Sequence, residues 1–133
     1  MAGQRENKRS TNTRGEVTVA ALLRRHDVAF EQNAQIGRFN VDFLVSGHAV
    51  IECFGDYWHC NPLLYEAGWH NRSLRMTAEE KWAKDARRAR ALAIAGYSVH
   101  ILWERDIHQA PEQVARLVKT ILVRVGGAAN ADH

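Results

Sequence analysis

Cysteine is scarce in this sequence: Cys53 and Cys60 are the whole complement. Two thiols are too few for a disulfide scaffold, and their spacing matches no zinc pattern. Both are therefore expected to be free thiols in a reducing, cytosolic setting. Long hydrophobic runs are missing too. No apolar stretch approaches the ~20 residues needed to cross a bilayer, so no membrane partner is expected. The opening MAGQRENKRSTNTRGE is polar and basic with no hydrophobic segment behind it, unlike a secretory leader. The expectation is a soluble, intracellular protein. There is no internal repeat or low-complexity tract, which leaves neither a repeat array nor a fibrous chain. An excess of one charge is also lacking, since 18 Lys/Arg face 15 Asp/Glu for a formal +3.

What is present is ordinary globular composition, 46% hydrophobic and 25% charged, on a chain of 133 residues. That length accommodates one domain around one core. The basic residues are unevenly placed. Arg5, Lys8, Arg9 and Arg14 face only Glu6 near the start, and 72–90 carries seven Lys/Arg against three acids. Such local clusters can neutralise phosphates despite a modest total; the alternative is a solvated helix face and a polar tail. Residues 1–12 read as a disordered basic arm and 126–133 as a flexible tail around a folded 13–125.

Thr13 and Glu16 have capping-box spacing and start a helix that continues through Val17, Ala20, Ala21, Leu22 and Leu23 and ends at His26-Asp27. Strand-like segments follow at 29–36, 38–45 and 48–54, separated by Gly37 and Ser46-Gly47, close enough for an antiparallel meander. After an irregular, aromatic 56–76, Thr77 and Glu80 form a second capping box, and a helix over 78–95 stops at Gly96. A strand at 97–103 comes next. Pro111 then opens a last helix with Val114, Leu117, Val118, Ile121, Leu122 and Val125 on one stripe. The order helix, three strands, helix, strand, helix predicts a single layered α/β domain around a mixed four-stranded sheet.

Chemistry concentrates in three places. Asp42 and Glu52 each interrupt an apolar strand, where a carboxylate is costly unless paired or holding a cation. Two on adjacent strands suit a hard divalent cation such as Mg2+; otherwise both face solvent. The run 55–62 leaves the third strand and carries His59, a residue type suited to proton transfer near neutral pH. Tyr57, Trp58 and Trp69 nearby either stack or wedge against nucleic-acid bases, or plug the end of the core. On the following helix, Lys81, Asp85 and Arg88 share one face, a ladder that is often plain surface decoration.

The run from Val41-Asp42-Phe43 through Val50-Ile51-Glu52-Cys53-Phe54-Gly55-Asp56-Tyr57-Trp58-His59 resembles the very-short-patch-repair (Vsr-like) endonucleases of the PD-(D/E)XK nuclease superfamily. So does Lys84-Asp85, Arg88, Leu92, Gly96-Tyr97, Val99 and Ile101-Leu102-Trp103-Glu104, and with Glu16 the likeness spans about 13–105. It is similar as well to the homing-endonuclease branch named for its Glu, Asp, His, Asp motif. The resemblance implies a three-layer, restriction-endonuclease-like αβββαβ core with a C-terminal helix, in a bacterial or phage-encoded cytoplasmic protein. It implies Asp42 as metal-binding aspartate and the Cys53 carbonyl as a further ligand. It gives His59 the activation of water or assistance to the leaving group, and Glu16 and Asp85 the positioning of hydrated metal or solvent. Glu52 restores the acidic residue of the wider superfamily. Phe54 stands where many members place a catalytic lysine, Asn40-Val41 replaces a proline, and Asp56 and Cys60 do not reproduce the repair enzymes' zinc cluster. No structural zinc is expected.

The sequence therefore predicts a Mg2+- or Mn2+-dependent DNA endonuclease. Asp42, Glu52, His59, Asp85 and Glu16 are its expected catalytic set, and Asp42, Glu52 and Cys53 its metal ligands. Tyr57, Trp58, Trp69, Arg72, Arg75, Lys81, Arg87 and Arg88 are its expected DNA contacts. The alternatives are a catalytically weak DNA-binding module and a partner-dependent nuclease subunit of a phage or mobile-element assembly. The expected partner is DNA, with the chain acting as monomer, dimer or member of a larger nucleoprotein assembly.

Overall fold

Apolar residues at alternate positions in the first two segments, and a near-continuous apolar run in the third, produce the expected meander. In a computed structural model, which describes Glu6 and residues 13–131 (side chains to 126), the strands are β1 (Phe30–Ile36), β2 (Phe39–Val45) and β3 (Ala49–Phe54). β1 and β2 pair antiparallel from Phe30↔Val45 to Ile36↔Phe39, and Gly37 supplies the positive φ of 57° in the turn between them. β2 and β3 also pair antiparallel, but only from Val45↔Ala49 to Phe43↔Ile51. Beyond that level the ladder opens. A two-stranded hairpin, β4 (His70–Asn71) with β5 (Met76–Thr77), follows and was not anticipated from the sequence. Helix α2 (Ala78–Ile94) then crosses over to β6 (Ser98–Trp103), which runs parallel to β3 from Ala49↔Ser98 to Phe54↔Trp103. The sheet order is β1-β2-β3-β6.

Helices cover both faces. Helix α1 (Arg14–Arg25), the short α3 (Glu104–Gln109) and α4 (Pro111–Ala131) line one side. There Leu23, Phe43, Ile51, Val118 and Ile121 form the main core. Helix α2 closes the other side, where Leu92 packs with Val41, Val50 and Ala34. The result is a three-layer mixed α/β domain. Burying a side chain such as Leu23 or Ile51 stabilises it by about 1.5–3 kcal/mol.

Some details differ from expectation. Val17 and Leu117 face outward at 55% and 45% exposure, because the buried stripes run through Glu16, Val19, Ala20 and Leu23 in α1 and Val114, Val118, Ile121 and Val125 in α4. α4 continues as helix past Val125 to Ala131, and α3 intervenes before it. The arm expected at 1–12 lies outside the described residues except for Glu6. Among the described residues no helix is long and apolar enough to cross a membrane.

Candidate active site

The gap between β2 and β3 is filled by side chains. Where backbone pairing stops, the Asp42 carboxylate accepts the Cys53 N–H at 2.7 Å, and the Glu52 carboxylate accepts the Asp42 N–H at 3.3 Å. Each acid thus takes over part of the interrupted ladder, which fixes its position relative to the backbone. Glu52 is only 4% exposed. Its regular alternation along β3 aims it at α2, where Arg88 forms an ion pair with it. Burial lifts the Glu52 carboxyl to about 7; Arg88 pulls it down and the Asp42 charge pushes it up, leaving it well above an ordinary carboxylate. Burial disfavours the charge on Arg88, but Glu6 and Glu52 outweigh it and hold the guanidinium above its usual pKa.

The segment between β3 and β4 is irregular yet tightly stapled. Asn61 donates to Asp56 at 2.9 Å and Asn71 to the Tyr57 carbonyl at 2.8 Å; both asparagines are buried. Trp82 of α2 donates its indole N–H to the Cys60 carbonyl at 2.6 Å. This bracing sets His59 flat against Phe54, with ring centroids 3.6 Å apart and planes 6° from parallel. Trp103 of β6 backs Phe54 edge-on at 5.4 Å. On α2, Asp85 meets the Nδ1 of His59 at 2.8 Å and Lys81 at 3.0 Å. Burial raises the Asp85 carboxyl, but the hydrogen bond and charge of His59, with Lys81, overcome it and leave the pKa lowered. An ionised Asp85 makes Nδ1 the donor. Neutral His59 then carries its proton on Nδ1 and its lone pair on Nε2.

These groups share one cleft of about 1200 Å3, lined by Glu16, Asp42, Glu52, Cys53, Tyr57, Trp58, His59, Lys81, Asp85, Arg87 and Arg88 among others. Glu16 reaches it from α1 at 1% exposure, while its Oε2 accepts from the Thr13 N–H at 3.1 Å and hydroxyl at 2.8 Å. Capping and cleft-lining thus coexist on one residue. Tyr57 and Trp58 stand at the rim, 36% and 44% exposed and packed edge-to-face. Trp69, Arg72 and Arg75 are not part of the lining; Trp69 stacks on Tyr65 at 4.1 Å, and both arginines are exposed on the hairpin connection. Arg88, expected to grip DNA, turns inward to Glu52, Glu6 and the Asn40 carbonyl. Sequence reasoning missed Glu6, Arg38, Lys84 and Glu104, which line the same cleft. Glu104 caps the Asp56 N–H at 3.2 Å, and only its place after Trp103, at the end of a strand, signalled it.

No family model and no curated protein matches the sequence. Among solved structures the chain superimposes on the catalytic domain of the homing endonuclease I-Bth0305I with a TM-score of 0.61. The identity is 19%, over 86% of this chain and 98% of that one. The mixed α/β fold is similar to that of this catalytic domain. The likeness meets the homing branch of the resemblance drawn from the sequence, and at this identity it establishes architecture.

The donor set can be tested against a divalent cation. Among the described residues no three His, Cys, Asp or Glu side chains gather as a metal cluster, so there is no all-protein cage. Mg2+ does not demand one: it binds through one or two carboxylates and keeps several waters. Asp42, fixed at the opened ladder beside the Cys53 backbone, fits that requirement. Glu52 fits it only by loosening its pair with Arg88.

Proposed function

We propose that this protein is a metal-dependent DNA endonuclease that hydrolyses phosphodiester bonds in the cleft between β2, β3 and α2. The observation that carries the reading is the convergence, in one cleft, of paired strand carboxylates with an oriented Asp85–His59 dyad. A DNA backbone needs this combination: charge held at the phosphate, and a base for the attacking water.

Asp42 and the Cys53 carbonyl would hold Mg2+ or Mn2+, with Glu52 beside them. When bound, the cation neutralises phosphate charge and lowers the pKa of water. His59 Nε2 takes the proton from the attacking water as its oxygen bonds to phosphorus and the bond to the 3′-oxygen breaks. Asp85 holds the imidazole in the required tautomer and stabilises the imidazolium that results. Glu16 orders solvent on the α1 side. Lys81, through Asp85, steadies the dyad, while Arg87 on the cleft lining and Arg72 and Arg75 outside it hold flanking phosphates. Tyr57 and Trp58, at the rim, offer ring faces to bases.

The test is cleavage of supercoiled plasmid and of labelled duplex, mismatched, nicked and branched DNA with Mg2+, Mn2+ or chelator. Metal-dependent cutting of any of these supports the reading. Binding without cutting in either metal overturns it in favour of a DNA-binding module, which the engagement of Glu52 by Arg88 would then explain.

A further inference from the structure

Arg88 works in two directions. One nitrogen, Nη1, donates to Glu52. The opposite edge forks onto Glu6, with Nε 3.0 Å from Oε2 and Nη2 3.0 Å from Oε1. The Asn40 backbone N–H adds a third donor to the same carboxylate at 3.1 Å. The Glu6 N–H bonds the Arg38 carbonyl at 2.9 Å, which ties the contact at the backbone as well. Three donors therefore converge on one anion in the wall of the cleft, near Arg38, Lys84 and Arg87. A guanidinium edge matches the paired oxygens of a carboxylate and of a phosphate equally well.

We propose that the Arg88 edge and the Asn40 N–H form a phosphodiester-binding subsite, which the chain's own Glu6 occupies in the free protein in place of a DNA backbone phosphate. The proposal rests on the nuclease reading of the cleft and adds a regulation to it. A carboxylate and a phosphodiester each present two oxygens and one negative charge. The exchange therefore leaves all three donors satisfied and returns Glu6 to water. The Glu6 side chain is already 35% exposed, so its carboxylate can return to water as a phosphate takes its place. DNA affinity is reduced by the fraction of molecules in which Glu6 is seated. If Glu6 instead braces Arg88 against Glu52, removing its charge has the opposite sign.

The experiment uses the full chain, as wild type, Glu6→Gln and Glu6→Ala. Duplex affinity is measured by fluorescence anisotropy in chelator, and inorganic phosphate is titrated against the Asn40 amide by NMR. Both variants should bind duplex about three- to tenfold more tightly, with the Asn40 amide responding at correspondingly lower phosphate concentration. Equal or weaker duplex binding by both variants, or an Asn40 amide indifferent to phosphate in them, overturns the proposal. Tighter binding and a phosphate response in a protein that cuts no DNA would keep the subsite and defeat the nuclease reading. Cutting by a wild type whose Glu6 variants bind no better would do the reverse.

Discussion

The two walls of the cleft hold charge in different ways. On the sheet wall, Asp42 and Glu52 are built into an opened strand ladder, bonded to the Cys53 and Asp42 N–H groups and backed by Arg88. On the loop-and-helix wall, His59, Asp85 and Lys81 meet only through side chains, with His59 resting on Phe54. Burial dominates the first wall and lifts Glu52 toward neutral pH; pairing dominates the second and lowers Asp85. A buried carboxyl beside a second acid gains from an arriving cation, whereas a relay open to the cleft can trade protons with water. Under the proposed function, charge neutralisation falls to the first wall and proton transfer to the second.

The sharpest way to break that assignment is Asp42→Asn, which keeps an oxygen for the Cys53 N–H and removes the charge. Cleavage should fall by more than about 10³-fold while duplex affinity in chelator is retained. Cutting at the wild-type rate in a preparation free of contaminating nuclease would move the metal elsewhere. Next, His59→Ala should cost about 10²- to 10³-fold in rate, and adding Asp85→Asn should cost little more, because the two act as one unit. Additive losses would separate them.

Glu52→Gln probes the buried wall through pH. A carboxyl whose folded pKa lies near 7 against an ordinary 4.5 favours the folded state while protonated, and that contribution is lost as pH rises through 7. Gln stays neutral. Its stability relative to wild type should therefore improve by up to on the order of 3 kcal/mol between pH 4.5 and 8, read by urea unfolding. A flat difference would mean that Arg88 keeps Glu52 ionised throughout. The smallest effect belongs to the rim. Tyr57→Ala with Trp58→Ala should weaken duplex binding by ~1–3 kcal/mol per base contact. Both rings are over a third exposed, so the melting temperature should drop little. A severe drop with unchanged affinity would make the pair part of the core.

Much of the frame was readable from local pattern. Three short apolar-rich segments, the turn at Gly37 and the two Thr-x-x-Glu boxes placed the meander and both helices within a residue or two. The β4–β5 hairpin and α3 escaped, being two-residue strands and a six-residue helix without a side-chain cap. Asp42, Glu52 and His59 stood out as polar groups in apolar or aromatic company, Asp85 was singled out only by the family resemblance, and the fold brings all four to one cleft. Their roles stand on the experiments above.

The capping boxes show where sequence alone ends. Thr13–Glu16 and Thr77–Glu80 are the same motif and form the same hydrogen bonds, yet Glu16 is buried in the cleft and Glu80 is exposed. The sequence by itself determined the elements, their caps and their apolar faces, because these depend on neighbours within one or two turns. Only the tertiary structure decided that Arg88 turns inward to Glu52 and Glu6, 36 and 82 residues away. It also decided that Asp85 captures His59 from 26 residues away. Which charge meets which depends on how the layers close over one another, and on burial strong enough to make each unpaired alternative costly.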